Sequence, residues 1–459
     1  MSADWAHDAI VYHLYPLGAL GAPPRQDLRR APVNRLVQLR DWIPHWQALG
    51  VNTLYLGPLF ESSTHGYDTI DYFRVDRRLG DNAALAELVR ELHAAGFRVL
   101  LDAVLNHVGR GHAAFRDLQA HGARSAFAPW FKGLRFDRGN PAGDAFDYDT
   151  WAGHHDLVKL DLTQPAVRDH LFEAVTFWIR TFDIDGLRLD AADVMDLDFL
   201  RDLAAHCKAL RPDFWLMGEV VHGDYSQWAN PQALDATTNY EAYDGLHKAH
   251  NARDYGRIAH ALERQFGPSG VYRGLPLYSF ADNHDVDRIA SLLKRPAHLF
   301  PLHVLLFTMP GVPSVYYGSE WALPGKKGKH TDAPLRPALQ PPQAGDARQN
   351  HELARAIARL TRLRGQVPAL RRGDYRSLAA TPEQLVFERR YGTSAARVAV
   401  NASERPVTLT LEPLDGHEGH WVDLLNPGER FPVRRDRPAA ATLYPTWGRV
   451  LVFEPARVG

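Results

Sequence analysis

Four short segments of this 459-residue chain carry acids whose neighbours could put them to work. They are Asp102-Ala103-Val104-Leu105-Asn106-His107, Gly186-Leu187-Arg188-Leu189-Asp190, Gly218-Glu219 and Phe280-Ala281-Asp282-Asn283-His284-Asp285. Two carboxyl groups flanking a glycosidic bond can cleave it. One attacks or stabilises the sugar carbon and the other protonates the departing oxygen. A retaining reaction needs the pair about 5–5.5 Å apart, a spacing that neighbouring strands of one sheet can supply. Asp190 follows Arg188 by two, so on a strand both side chains point the same way. A guanidinium beside a carboxylate favours its ionised form, as a nucleophile requires. Glu219 follows Gly218, where a glycine permits close approach of substrate, and precedes the apolar Val220 and Val221. Such surroundings predict a raised pKa and an acid/base role. Asp285 is a third carboxylate, suited to binding sugar hydroxyls and to stabilising positive charge in the transition state.

Each signal has a plainer reading on its own. Arg188 and Asp190 read equally well as a buried structural pair. Asn283-His284-Asp285 reads as a capped turn, His107 as a hydrogen-bonded core histidine, and a lone Gly-Glu as nothing in particular. Their joint position at the ends of strands points to one site.

Those strands are visible as apolar runs at 10–15, 53–56, 98–101, 186–189, 215–217, 233–236, 277–280 and 314–317. Helical periodicity lies between them at 82–95, from Pro165 onward, and at 198–210, 254–266 and 351–363. Alternating strands and helices with near-continuous apolar strands predict a parallel sheet covered by helices. Eight strands over this length fit a (β/α)8 TIM barrel, with active residues at the C-terminal strand ends. No Gly-rich phosphate turn follows any strand, which argues against two doubly wound domains. The long interval after the third strand predicts a small inserted domain. Beyond Arg372 the pattern turns to alternating strands and predicts a C-terminal antiparallel β-sandwich. The expected division is a barrel of 1–106 and 161–372, an insert of 107–160 and a β-sandwich of 373–459.

Formal net charge is −1, from 53 basic and 54 acidic residues. That balance gives no electrostatic case for nucleic acid or an anionic membrane. No apolar segment approaches a membrane span, and no signal segment is visible at the start, so a cytoplasmic protein is expected. Cys207 is the one cysteine, which excludes an intrachain disulfide and reads as a buried filler. Aromatic content of 10%, with 11 Trp, supplies flat apolar faces of the kind on which sugars stack.

At the four segments the chain resembles glycoside hydrolase family 13, the α-amylase family, over nearly its whole length. The resemblance implies the layout just described, with Asp190 as nucleophile, Glu219 as acid/base and Asp285 as transition-state stabiliser. It implies that His107, Arg188 and His284 bind the sugar at the cleavage site. Tyr67, in His65-Gly66-Tyr67-Asp68-Thr69, would stack on that sugar. Leu157-Val158-Lys159-Leu160-Asp161 is more similar to the Pro-Lys-Leu-Asn of neopullulanases and cyclomaltodextrinases than to the Pro-Asp-Leu-Asp of typical α-amylases. That subgroup usually carries an N-terminal β-domain that pairs two subunits, whereas this chain starts at the first barrel strand. Monomer and homodimer therefore both stand. The expected substrate is an α-glucan oligosaccharide cut at α-1,4 links, cyclodextrins included. An α-glucosidase, a transglycosylase or a trehalose-forming isomerase would share the same three carboxylates. Asp193-Val194 stands where many α-amylases have Lys-His, so contacts to the leaving group should differ and long polymers should be poorer substrates. The chemistry requires no cofactor and no catalytic metal. A structural calcium is left open: Asn106 matches a calcium-ligating position of many α-amylases, and the insert offers Asp137, Asp144, Asp147 and Asp149.

Overall fold

The computed structural model describes residues 3–329, 331–343 and 345–456. Eight parallel strands form its centre: β1 (Val11–Leu14), β2 (Thr53–Leu56), β3 (Arg98–Ala103), β4 (Gly186–Leu189), β5 (Trp215–Gly218), β6 (Ala236–Thr237), β7 (Tyr278–Phe280) and β8 (Val312–Tyr316). Hydrogen bonding runs in the order β6-β5-β4-β3-β2-β1-β8-β7. A parallel bridge between Thr238 and Tyr278 joins the two ends and closes the barrel. Strands β1, β2, β4, β5, β7 and β8 are buried at every position, which is why they read as apolar runs rather than as alternation. The sixth strand is shorter than its apolar run predicts, with only Ala236 and Thr237 paired.

The expected helices are present, with local reasons for their limits. Asn82–Ala94 buries Leu85, Leu88, Val89 and Leu92, and the Asp81 carboxylate accepts from the Ala84 N–H. Pro165–Phe182 opens on proline and ends at a left-handed Asp183. The Asp196 side chain caps Leu197–Leu210. Two further helices, Tyr240–Ala252 and Leu299–Thr308, are not among the expected ones. Leu299–Thr308 is apolar on all sides and almost wholly buried. The buried guanidinium groups of Arg364 and Arg389 donate to its last carbonyls, Phe307 and Thr308, at 3.0 and 2.7 Å.

Between β3 and Pro165–Phe182 the chain forms a three-stranded antiparallel sheet of His107–Gly109, Thr150–Trp151 and His154–Lys159, and a helix, Ala113–His121. Phe115, Phe131, Phe146 and Tyr148 fill its core. Gly109 packs against the Asp68 backbone so closely that a Cβ would lie 2.4 Å from the Asp68 carbonyl oxygen. This contact fixes the sheet against the loop that carries Tyr67. After Arg372 come a six-stranded antiparallel sheet and a two-stranded partner, with Leu411, Trp421, Val433, Ala441 and Leu451 packed together. The fold class read from the sequence is the one observed. No helix among the described residues is long and apolar enough to cross a membrane.

Candidate active site

Strand register places the acids. Asp102 pairs with Arg188 across β3 and β4, and Leu189 pairs with Gly218 across β4 and β5. One step further along, Asp190 and Glu219 emerge side by side at the strand ends. The Asp190 N–H donates to the Ala103 carbonyl at 3.0 Å and the Glu219 N–H to the Leu189 carbonyl at 2.9 Å. Between them lies the buried Arg188 guanidinium. Nη1 donates to Asp102 Oδ1 and to Asp190 Oδ1, each at 2.8 Å, and Nη2 lies 2.7 Å from Glu219 Oε1. One cation thus holds three carboxylates. Ala191 follows in the left-handed region, at φ 50° and ψ 40°, and its N–H donates to Glu219 Oε2 at 3.0 Å. A non-glycine residue held there costs about 1–3 kcal/mol. That strain is spent at the turn that orients Glu219.

Gly218 also has a packing reason that the sequence did not show. A Cβ there would lie 2.5 Å from the Leu234 side chain and 2.9 Å from Ala192. The glycine makes room for the packing of Leu234 and Ala192.

The other four named residues surround this cluster. His107 is buried; its Nε2 lies 3.0 Å from the Tyr67 carbonyl and 4.0 Å from Asp190 Oδ2. Tyr67 donates its hydroxyl to Asp102 Oδ2 at 2.9 Å, contacts His284 Nε2, and lies parallel to the His284 ring with centroids 5.4 Å apart. His284 Nε2 is 2.9 Å from Asp285 Oδ2. The Asn283 side chain accepts from the Asp285 and Val286 N–H groups, so the anticipated turn is present and shapes this loop. All seven named residues therefore form one connected constellation.

Sequence reasoning gave no role to several members. The Asp102 carboxylate accepts from Tyr55, Tyr67 and Arg188. Its strand-end position was a signal that it belonged to the site. Arg336 had no such signal, because it sits in a loop without periodicity. Its Nη2 lies 2.9 Å from Asp285 Oδ1, its Nε donates to the His284 carbonyl, and it lies over the Tyr15 ring at 4.7 Å. Tyr240 meets the same loop, accepting from Asn283 at 3.2 Å.

The electrostatics divide the acids. Burial raises the Glu219 pKa, in the direction its apolar neighbours predicted, with Arg188 opposing and Asp285 adding to it. Asp190 departs from the expectation that Arg188 alone would keep it ionised. Burial raises its pKa well above the usual carboxylate value; Arg188 opposes this, and the charges of Glu219, Asp102 and Asp285 add to it. Both carboxyls therefore hold their protons more firmly than free ones, and the charge of Glu219 adds to the effect at Asp190. Asp285 differs. Burial would raise it, but His284, Arg336 and Arg188 together hold it far below the usual range. Burial also pushes the His107 imidazole down to about 4, so it is neutral near pH 7.

Among the described residues no three His, Cys, Asp or Glu side chains are grouped to hold a metal. The insert acids offered for calcium serve other partners. Asp144 takes Arg110, Asn140 and Gln119, Asp147 takes Arg135 and Arg138, and Asp149 lies 3.5 Å from Arg135. Asp137 is exposed. A cavity of about 1200 Å³ near His45, Arg355 and Trp447 opens on outer helices, away from the strand ends that carry this constellation.

Comparison with known proteins gives a consistent picture. The catalytic-domain profile of the α-amylases matches residues 39–362. The cyclomaltodextrinase of Geobacillus thermopakistaniensis is 32% identical over 98% of this chain and 77% of its own length. Neopullulanase 2 of Thermoactinomyces vulgaris is 30% identical over 98% of this chain and 78% of its own. Among solved structures, the cyclic α-maltosyl-(1→6)-maltose hydrolase of Arthrobacter globiformis superposes with a TM-score of 0.82. It is 28% identical, over 98% of this chain and all of that one.

Proposed function

This chain belongs to the α-amylase family of glycoside hydrolases, and on that premise we propose that it hydrolyses α-1,4-glucosidic bonds of maltooligosaccharides and cyclic maltodextrins with retention. The observation that carries the reading is the Arg188 fork, which brings Asp190 and Glu219 together at the ends of adjacent strands. A pair held on one guanidinium suits the close spacing of retaining enzymes, about 5–5.5 Å, better than the wider gap of inverting ones. In this reading Glu219 is protonated and Asp190 ionised when sugar binds. Asp190 attacks the anomeric carbon as Glu219 protonates the departing oxygen. Water, deprotonated by Glu219, then releases the glycosyl group from Asp190. Asp285, kept ionised by His284 and Arg336, faces the positive charge that builds on the ring. Tyr67, His107, Arg188 and His284 line the subsite where that ring sits. The names of the relatives, cyclomaltodextrinase and neopullulanase, support short and cyclic α-glucans as substrates.

A product time course on maltotriose, maltohexaose, β-cyclodextrin, pullulan and trehalose tests this. Maltose and glucose released first as α-anomers are expected. Release of β-anomers would sink retention, and no cleavage of any of these sugars would sink the activity. Transfer to a second sugar is the alternative favoured by one observation. Val194 is 48% exposed, on the segment whose Asp193 N–H donates to the Glu219 carbonyl. An apolar surface beside the acid/base favours a sugar acceptor over water. Longer oligosaccharides growing with sugar concentration would show it.

Arg336 provides a further check on the assignment of Asp285. Replacing it with Met removes one ion pair from Asp285, so the carboxyl titrates at higher pH. We expect kcat/KM to fall about 10- to 100-fold, the worth of a hydrogen bond to a charged group. The acid limb of the pH profile should move upward. An unchanged profile with full activity would separate Arg336 from Asp285.

A further inference from the structure

The turn at Asn106 and His107 joins the barrel to the insert, and the structure leaves one of its atoms without a partner. Lys159 stands opposite His107 in the antiparallel ladder. The Leu160 N–H donates to the Asn106 carbonyl and the Lys132 N–H to the Lys159 carbonyl, each at 3.1 Å. The Asn106 side chain is fully buried, with Nδ2 3.3 Å from His107 Nδ1, while its Oδ1 meets no donor among the described residues. A buried oxygen left in that state is costly, so a donor or a cation belongs beside it. A cavity of about 190 Å³ opens there, lined by Asn106, Lys132, Lys159, Asp161, Val194 and Asp196 among others.

Calcium is the cation that the sequence resemblance offers for Asn106, and these residues do not fit it. Asp161 spends Oδ1 on the Thr163 N–H and hydroxyl and Oδ2 on Gln164. Asp196 Oδ1 caps a helix and pairs with Arg168. Calcium takes six to eight oxygens, and here it would share its cavity with two ammonium groups.

We propose that the Lys159 ammonium is the resident cation of this junction, donating to Asn106 Oδ1 in the place a divalent ion would take. The side chain is half-buried, and it already lines the same cavity as Asn106. Burial, and then the charge of Lys132, weaken its hold on its proton, as a confined ammonium should show. The bond ties the strand His154–Lys159 to the turn that presents His107, 4.0 Å from Asp190. Lys159 is thus a positioning residue for the site, and the junction needs no metal.

The test is thermal melting of the full chain with excess EDTA and with added calcium chloride, beside calorimetric titration with calcium. Neither addition should move Tm, and the titration should show no binding heat. Lys159→Met, which keeps the reach and removes the charge, should melt lower by about 2–3 °C, the order expected for one lost charged hydrogen bond in a chain of this length. Lys159→Arg should recover most of that loss. A wild-type Tm that falls with EDTA or rises with calcium would overturn the proposal, as would a Lys159→Met protein that melts with the wild type. Should Lys159→Met fail to fold, the wild-type metal response decides alone. None of these readouts depends on which sugar the enzyme cleaves.

Discussion

Asp190→Asn should abolish turnover of maltotriose, by about 10⁴-fold or more in kcat, while leaving a folded protein. On the proposed mechanism the magnitude follows from losing a nucleophile whose partners act as one unit with it. The substitution is close to isosteric, and its carbonyl oxygen can still accept from Arg188 Nη1, which lies 2.8 Å from Asp190 Oδ1 in the wild type. The backbone bond from residue 190 to the Ala103 carbonyl involves no side chain and should survive. Circular dichroism and the melting curve should therefore stay near wild type. Binding of oligosaccharide should persist as well, because Tyr67, His107 and His284 are untouched. Activity within tenfold of wild type would remove Asp190 from the mechanism and leave the Arg188 cluster as a structural ion network.

Glu219→Gln should have the second largest effect, and its pattern is more informative than its size. A general acid contributes about 10²–10⁴-fold, so hydrolysis of maltotriose should fall by that order. A glucosyl substrate whose leaving group departs without a proton should lose far less in the first step. Azide should then rescue turnover by attacking the glycosyl group on Asp190 without need of a base. The pH dependence has a definite sign. Burial raises the Glu219 pKa, so its acid form persists above the ordinary glutamate range. Activity is lost as pH rises through that raised value. This basic limb of the wild-type profile should vanish in the variant. If the limb remains, it belongs to another group. Equal losses on both kinds of substrate would point away from proton donation.

The large features were legible because burial writes them plainly. Strands covered on both faces appear as apolar runs, and the acids at their ends stood out because a barrel places its chemistry there. The features that were not legible depend on distance in space. Asp190 and Arg188 are two apart in sequence, and that pair alone argued for an ionised Asp190. The neighbouring charges of Glu219 and Asp285 come from other strands, and burial adds to them. Arg336 reaches Asp285 across 51 residues, from a loop with no period to mark it. The strain at Ala191 has no residue-type signature, since alanine is an unexpected occupant of that backbone region. At Gly218 a packing constraint comes from Leu234 and Ala192, which no local pattern marks.

The helix Leu299–Thr308 bears on how far this molecule can be divided. Its apolar surface has no side suited to water, and Val304 lies against Gly448 of the C-terminal sheet while its last carbonyls rest on Arg389 from the same region. A gene cut after Arg372 would keep every residue of the candidate site, yet it would leave an oily cylinder and the Thr308 carbonyl facing solvent. The terminal sheet therefore works less as an appended module than as the missing wall of the catalytic body. Exchange of that sheet between relatives would succeed only where the wall fits the helix it has to cover.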